Sequence, residues 1–158
     1  RILDLPDFVA ENGEINTSTE EKLANDLSQI MVLDMLSGQL DRFSGGNLEA
    51  RFDKSEDDPK VGHLRFLIRD NGQAEFANGR PDGNEFQKYL PIVTRFDRKQ
   101  IQRVALLSSL LAKNPEEIKR TLRMRSDVGL LQERADAVLK HVEAQIQLYG
   151  EDMVFFRK

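Results

Sequence analysis

Three oxygen-bearing side chains stand out for their type and spacing. Asp41 and Asn47 bracket the run Asp41-Arg42-Phe43-Ser44-Gly45-Gly46-Asn47, and Asp70 follows within Ile68-Arg69-Asp70-Asn71-Gly72, 23 residues after Asn47. Phosphoryl transfer to a hydroxyl needs a carboxylate that orients or deprotonates the acceptor, and hard oxygen ligands that hold Mg²⁺ against nucleotide phosphates. Asp41, Asn47 and Asp70 are residues of those types. The alternative is a set of turn and cap residues, for which Asp and Asn are equally suited. Arg42 would steady the loop, meet a substrate phosphate or form a plain surface ion pair, while Gly45 and Gly46 suit a tight turn.

These residues need elements to position them. Residues 1–19 read as an irregular lead-in, with Pro6, Asn12, Gly13 and Asn16 followed by a Thr/Ser run. Thr19, with Glu20 and Glu21 after it, predicts the start of a helix carrying Leu23, Leu27, Ile30, Met31 and Asp34 at helical spacing. The stretch Ile30 to Leu36 is apolar on more than one side, so this helix is expected to lie deep, and Gly38 to end it. Asn47 to Phe52 and His63 to Arg69 read as two strands joined through the acidic Ser55-Glu56-Asp57-Asp58-Pro59 turn. Antiparallel strands put Asn47 and Asp70 at the same end, where both can share one metal ion. Residues 71–91, with Asn71-Gly72, Asn78-Gly79 and Asp82-Gly83, read as a long loop.

The last third is helical. Asp97 with Gln100 resembles a capping box ahead of the stripe Ile101, Val104, Ala105, Leu107 and Leu111. Asn114, Pro115, Glu116 and Glu117 predict a short helix ending near Met124. A final helix is expected from Ser126 or Asp127 to Gly150, with Leu131, Ala135, Val138, Leu139, Val142 and Ile146 on one side. The apolar tail Met153-Val154-Phe155-Phe156 is expected to dock. The fold class is therefore α+β, mainly α: a small β-hairpin with a helical bundle.

With those elements in place, Val32 to Phe43, Asn47 and Asp70-Asn71-Gly72 resemble the C-terminal lobe of atypical kinases, the group of actin-fragmin kinase, the phosphoinositide kinases and the secretory-pathway casein-type kinases. In that group a deep helix leads to an Asp-Arg catalytic loop, an Asn follows, and a metal-binding Asp ends the next hairpin. The resemblance covers residues 23–76 and implies a protein-kinase-like C-lobe over residues 20–158. It implies Asp41 as catalytic carboxylate, Asn47 and Asp70 as Mg²⁺ ligands, and Mg²⁺ and ATP as cofactors. Phe43 stands where phosphoinositide kinases usually carry His, which makes the actin-fragmin type the nearer likeness. Neither a glycine-rich strand turn nor a strand lysine precedes Asp41, so an N-terminal lobe is expected from missing sequence or a second chain. The alternative is a kinase-derived, non-catalytic protein-binding module.

Composition limits the other classes. The 158 residues contain no cysteine, which excludes disulfides and thiolate metal sites and leans toward a cytoplasmic setting. No apolar run approaches the roughly 20 residues of a membrane span. Against a net charge of -4, residues 94–125 hold nine Lys or Arg and three Asp or Glu. This basic island is a solvated helix face or a site for an acidic or phosphorylated partner. Nucleic acid is disfavoured, since Phe96 is the sole aromatic among those charges. His63 and His141 read as structural and exposed respectively, and Glu56-Asp57-Asp58 as a solvated turn lacking calcium-loop spacing.

Overall fold

The computed structural model describes residues 17–39, 42, 47–54, 62–69, 90–124 and 128–157. It is mainly helical, with one two-stranded antiparallel sheet. Helix α1 spans Thr17–Ser37, strands β1 and β2 span Leu48–Lys54 and Gly62–Ile68, and a 3₁₀ turn covers Leu90–Ile92. Helices α2 (Arg98–Lys113), α3 (Pro115–Thr121) and α4 (Val128–Tyr149) follow, and a single turn, α5 (Glu151–Val154), closes the chain.

Helix α1 starts at Thr17, so Thr19 lies inside it and is not its cap. Its middle is deep, as the apolar run requires: Ile30, Met31, Val32 and Met35 are buried, while Leu33 faces out at 51% exposure. Gly38 adopts φ 74°, and the Gln39 N–H donates to the Asp34 carbonyl at 2.9 Å. This is the six-to-one bond of a Schellman ending, which needs a left-handed residue after the last helical one. The hairpin register runs from Leu48 opposite Ile68 to Lys54 opposite Gly62, close to the strands expected. The acidic turn at 55–59 and nearly all of the expected loop at 71–91 lie outside the described residues.

The main core joins Met31, Val32 and Met35 of α1 to Ile101 and Val104 of α2, Ala135, Val138 and Val142 of α4, and the tail residues Val154 and Phe155. Phe96, fully buried, is its pivot. The Phe96 N–H donates to the Val154 carbonyl at 2.8 Å and the Phe96 carbonyl accepts from Phe156 at 3.1 Å, so the tail docks as a short parallel bridge, as expected. His141 is half-buried, not exposed: its Nε2 lies 2.9 Å from the Val93 carbonyl and its ring meets Phe96 edge-on. A smaller cluster of Leu111, Val128 and Leu131 packs against Leu36, Leu107, Ile118 and Met124.

Local rules set the helix ends. Asp97 accepts the Gln100 N–H at 2.7 Å, but the Gln100 side chain reaches across to the Gln29 carbonyl at 2.8 Å, so only half of a capping box forms. Asn114 makes no side-chain cap bond, and α3 relies on Pro115 and its acidic first turn. Helix α3 stops at Thr121, short of Met124, because Arg123 turns left-handed at φ 52° and the Met124 N–H closes onto the Lys119 carbonyl at 3.0 Å. Ala105 of the α2 stripe faces solvent. The expected start of the last helix at Ser126 or Asp127 lies outside the described residues, and Gly150, at φ 80°, ends that helix as anticipated.

Two substitutions test this packing with opposite signs in urea unfolding. Phe96→Ala is expected to lower stability by roughly 3–5 kcal/mol, the usual cost of an emptied aromatic site. Arg123→Gly is expected to raise it by about 1 kcal/mol, since glycine takes the left-handed position without the Cβ clash. A Phe96→Ala loss below about 1 kcal/mol would show that Phe96 is not the pivot of the core.

Candidate functional site at the open end of the hairpin

The Schellman ending of α1 turns the chain back on itself, and Arg42 returns to Asp34 eight residues earlier. Its Nε donates to Asp34 Oδ2 and its Nη2 to Asp34 Oδ1, both at 2.9 Å. The remaining arm, Nη1, donates to the Arg69 carbonyl at 2.8 Å and the Asn47 carbonyl at 3.2 Å. The Arg42 side chain is 3% exposed and that of Asp34 8%. Removing a guanidinium and a carboxylate from water costs several kcal/mol each, which only close, well-directed contacts offset. Both ends of the planar guanidinium fork are in use here, a geometry that a lysine ammonium cannot reproduce.

The hub fastens three separate pieces of chain. Asp34 belongs to the last turns of α1, Asn47 leads into β1, and Arg69 leaves β2. The Asn47 carbonyl also accepts the Arg69 N–H at 2.9 Å, continuing the ladder one pair beyond Leu48 and Ile68. Helix α1 packs against β2 as well. At the surface, Glu49 pairs with Arg69 and lies 3.8 Å from Arg51; such exposed pairs contribute little. A second buried cation, Arg134 of α4, donates to the Leu36 carbonyl at 3.2 Å in the last turn of α1, where a positive charge complements the helix dipole. Burial pushes the Arg134 pKa down from the ordinary guanidinium value, and neighbouring Glu133 acts in the opposite direction.

Of the sequence-predicted residues, Asn47 sits half-buried where expected, at the open end of the hairpin. Asp41 and Asp70 lie outside the described residues, but their chain neighbours Arg42 and Arg69 are both bound into the hub. Arg42 is therefore a buried loop anchor rather than a surface ion pair, the first of the roles weighed for it. Asp34, read from periodicity as one more helix position, is its essential partner. Gly45, Gly46 and the Glu56-Asp57-Asp58 cluster lie outside the described residues, and His63 lies in β2 opposite Asp53.

Among the described residues no group of three or more His, Cys, Asp or Glu is placed to hold a metal ion, and no helix is long and apolar enough to cross a membrane. An amide oxygen with one carboxylate suits Mg²⁺, which takes few protein ligands and fills its octahedron with phosphate oxygens and water. Asn47 and Asp70 have that chemistry. Compared with protein-family models, curated proteins and solved structures, the chain matches none.

The hub is testable by a double-mutant cycle in urea. Arg42→Met alone is expected to cost roughly 3–5 kcal/mol, because it leaves the Asp34 carboxylate buried without its counter-charge. The pair Asp34→Leu with Arg42→Met is expected to cost clearly less than the two single losses together. Strict additivity would mean that the two side chains do not depend on each other.

Proposed function

We propose that this chain is the catalytic lobe of an atypical kinase, with a protein-kinase-like C-lobe fold, that transfers the γ-phosphoryl group of ATP to a hydroxyl acceptor. The observation that supports this reading is the Arg42 hub, which joins the residue after Asp41, Asn47 itself and the residue before Asp70. Three positions scattered over about 30 residues thus have their backbones, or those of their immediate neighbours, tied to one side chain.

In this reading the Asp41 carboxylate orients the acceptor hydroxyl and takes up its proton as the oxygen attacks the γ-phosphorus and the bond to the β–γ bridging oxygen breaks. Asn47 and Asp70 hold Mg²⁺. The bound ion supplies neutralisation of the phosphate charge. Arg42 acts only by positioning, since its donors are engaged by Asp34 and two carbonyls. An N-terminal lobe, on another segment or a second chain, completes the nucleotide site.

Mg²⁺-dependent ATP binding and turnover on the intact protein, with Asp41→Asn and Asp70→Asn beside the native chain, test this proposal. Asp41→Asn is expected to lower turnover by roughly 100-fold or more while nucleotide binding persists, the usual magnitude for loss of a general base. Asp70→Asn is expected to remove the Mg²⁺ dependence of nucleotide binding. Unchanged turnover in Asp70→Asn rejects its metal role. Absence of nucleotide binding by the native protein favours a kinase-derived binding module instead.

A further inference from the structure

Helix α2 packs on the core through Ile101, Val104 and Leu111, and its opposite side is open. Along that side Lys99, Arg103, Leu106, Leu110 and Lys113 follow at steps of four, three, four and three residues, and all are exposed. The alternation of four and three is the spacing by which one helix seats another along its length. Leu106 is 60% exposed and Leu110 38%, and as an i, i+4 pair they form one apolar ridge. At a rise of 1.5 Å per residue the stripe is about 21 Å long, nearly four turns.

The charges on this side are of one sign. Helix α2 contains no Asp or Glu, and among the described residues Lys99, Arg103 and Lys113 form no ion pair. The basic island divides accordingly. Arg95 pairs with Glu21 and lies over the Phe156 ring, and Arg98 pairs with Glu151 and lies over Phe155, so those two cations are engaged within the fold. The cations of the open stripe have no such task.

We propose that this stripe is a docking seam for an amphipathic helix of a partner protein, apolar at its centre and acidic at both ends. Leu106 and Leu110 supply the apolar contact, while Lys99 with Arg103 at one end and Lys113 at the other fix the register. An anionic bilayer is the poorer occupant. The stripe offers two leucines and no aromatic anchor, and a bilayer meets the field of a chain whose net charge is -4. A docked helix responds to the charges within a Debye length of about 8 Å, which along α2 itself are all positive, with Asp97 flanking one end and Glu116 and Glu117 the other.

The probe is a fluorescein-labelled 21-residue peptide with Leu at its central seam positions and Glu at the outer ones, titrated by anisotropy at physiological salt against the intact protein. Saturable binding is expected, at least tenfold tighter than for a scrambled peptide of the same composition. Leu106→Ser with Leu110→Ser is expected to weaken it at least tenfold with unchanged helix content by circular dichroism, because both side chains are exposed. Arg103→Glu is expected to weaken the Glu peptide and strengthen a version carrying Lys in its place. The proposal is overturned if the peptide fails to bind or the scrambled peptide binds equally well. It is likewise overturned if the serine variant binds undiminished, or if phosphatidylserine-containing vesicles bind the stripe and the peptide does not.

Discussion

A guanidinium that has lost nearly all of its water is stable only where several oxygens replace it, and among the described residues Arg42 has gathered four, two from Asp34 and one carbonyl each from Asn47 and Arg69. This interaction couples the end of α1 to the open end of the hairpin. It ties Asp34 of α1 to the Asn47 carbonyl at the entry into β1 and to the Arg69 carbonyl at the exit from β2. Its cost in desolvation is high and its geometry strict, so it fixes the relative position of helix and sheet more than it adds to stability. The expense is intelligible if the open end of the hairpin must be held in one arrangement.

The helical part provides the rigid support. Helix α4 contributes Ala135, Val138 and Val142 to the main core, and its Arg134 reaches the last turn of α1. Tail and entry into α2 are stitched through Phe96, so the C-terminal residues close the same core that buries α1. The Ser28 hydroxyl donates to the Arg95 carbonyl at 2.6 Å and adds a polar tie between α1 and the segment before α2. Deep contacts thus converge on α1 from several directions, which is what a helix carrying a buried Asp34 requires.

Much of this was readable in the residues, and the physical reason differs from place to place. The end of α1 was legible because Gly38 is the residue that accepts a left-handed φ most cheaply. The strands were legible because their alternating pattern is interrupted by the proline and acids of residues 55–59, and the Asp97 cap because its partner lies only three residues away. The Asp34–Arg42 pair was hidden because periodicity treats an acid within an apolar helix as an exception; an inward Asp between Leu33 and Met35, with an Arg shortly after the helix end, was the available signal. Arg134 with Leu36, 98 residues apart, and His141 with Val93, 48 apart, are tertiary choices that no local pattern encodes. At the site itself, legibility extended to Asn47 and to the shared end of the two strands.

We propose that the open end of the hairpin beside Arg42 is one nucleotide and metal site. It is tested most directly by adding Mn²⁺ and ATP, as a paramagnetic stand-in for Mg²⁺, to the ¹⁵N-labelled intact protein and following amide line widths. Selective broadening of the amides of Arg42, Asn47 and Arg69, with those of α4 unaffected, is the predicted result. Broadening confined to the acidic residues 56–58, or none at saturating Mn²⁺ and ATP, would contradict the account.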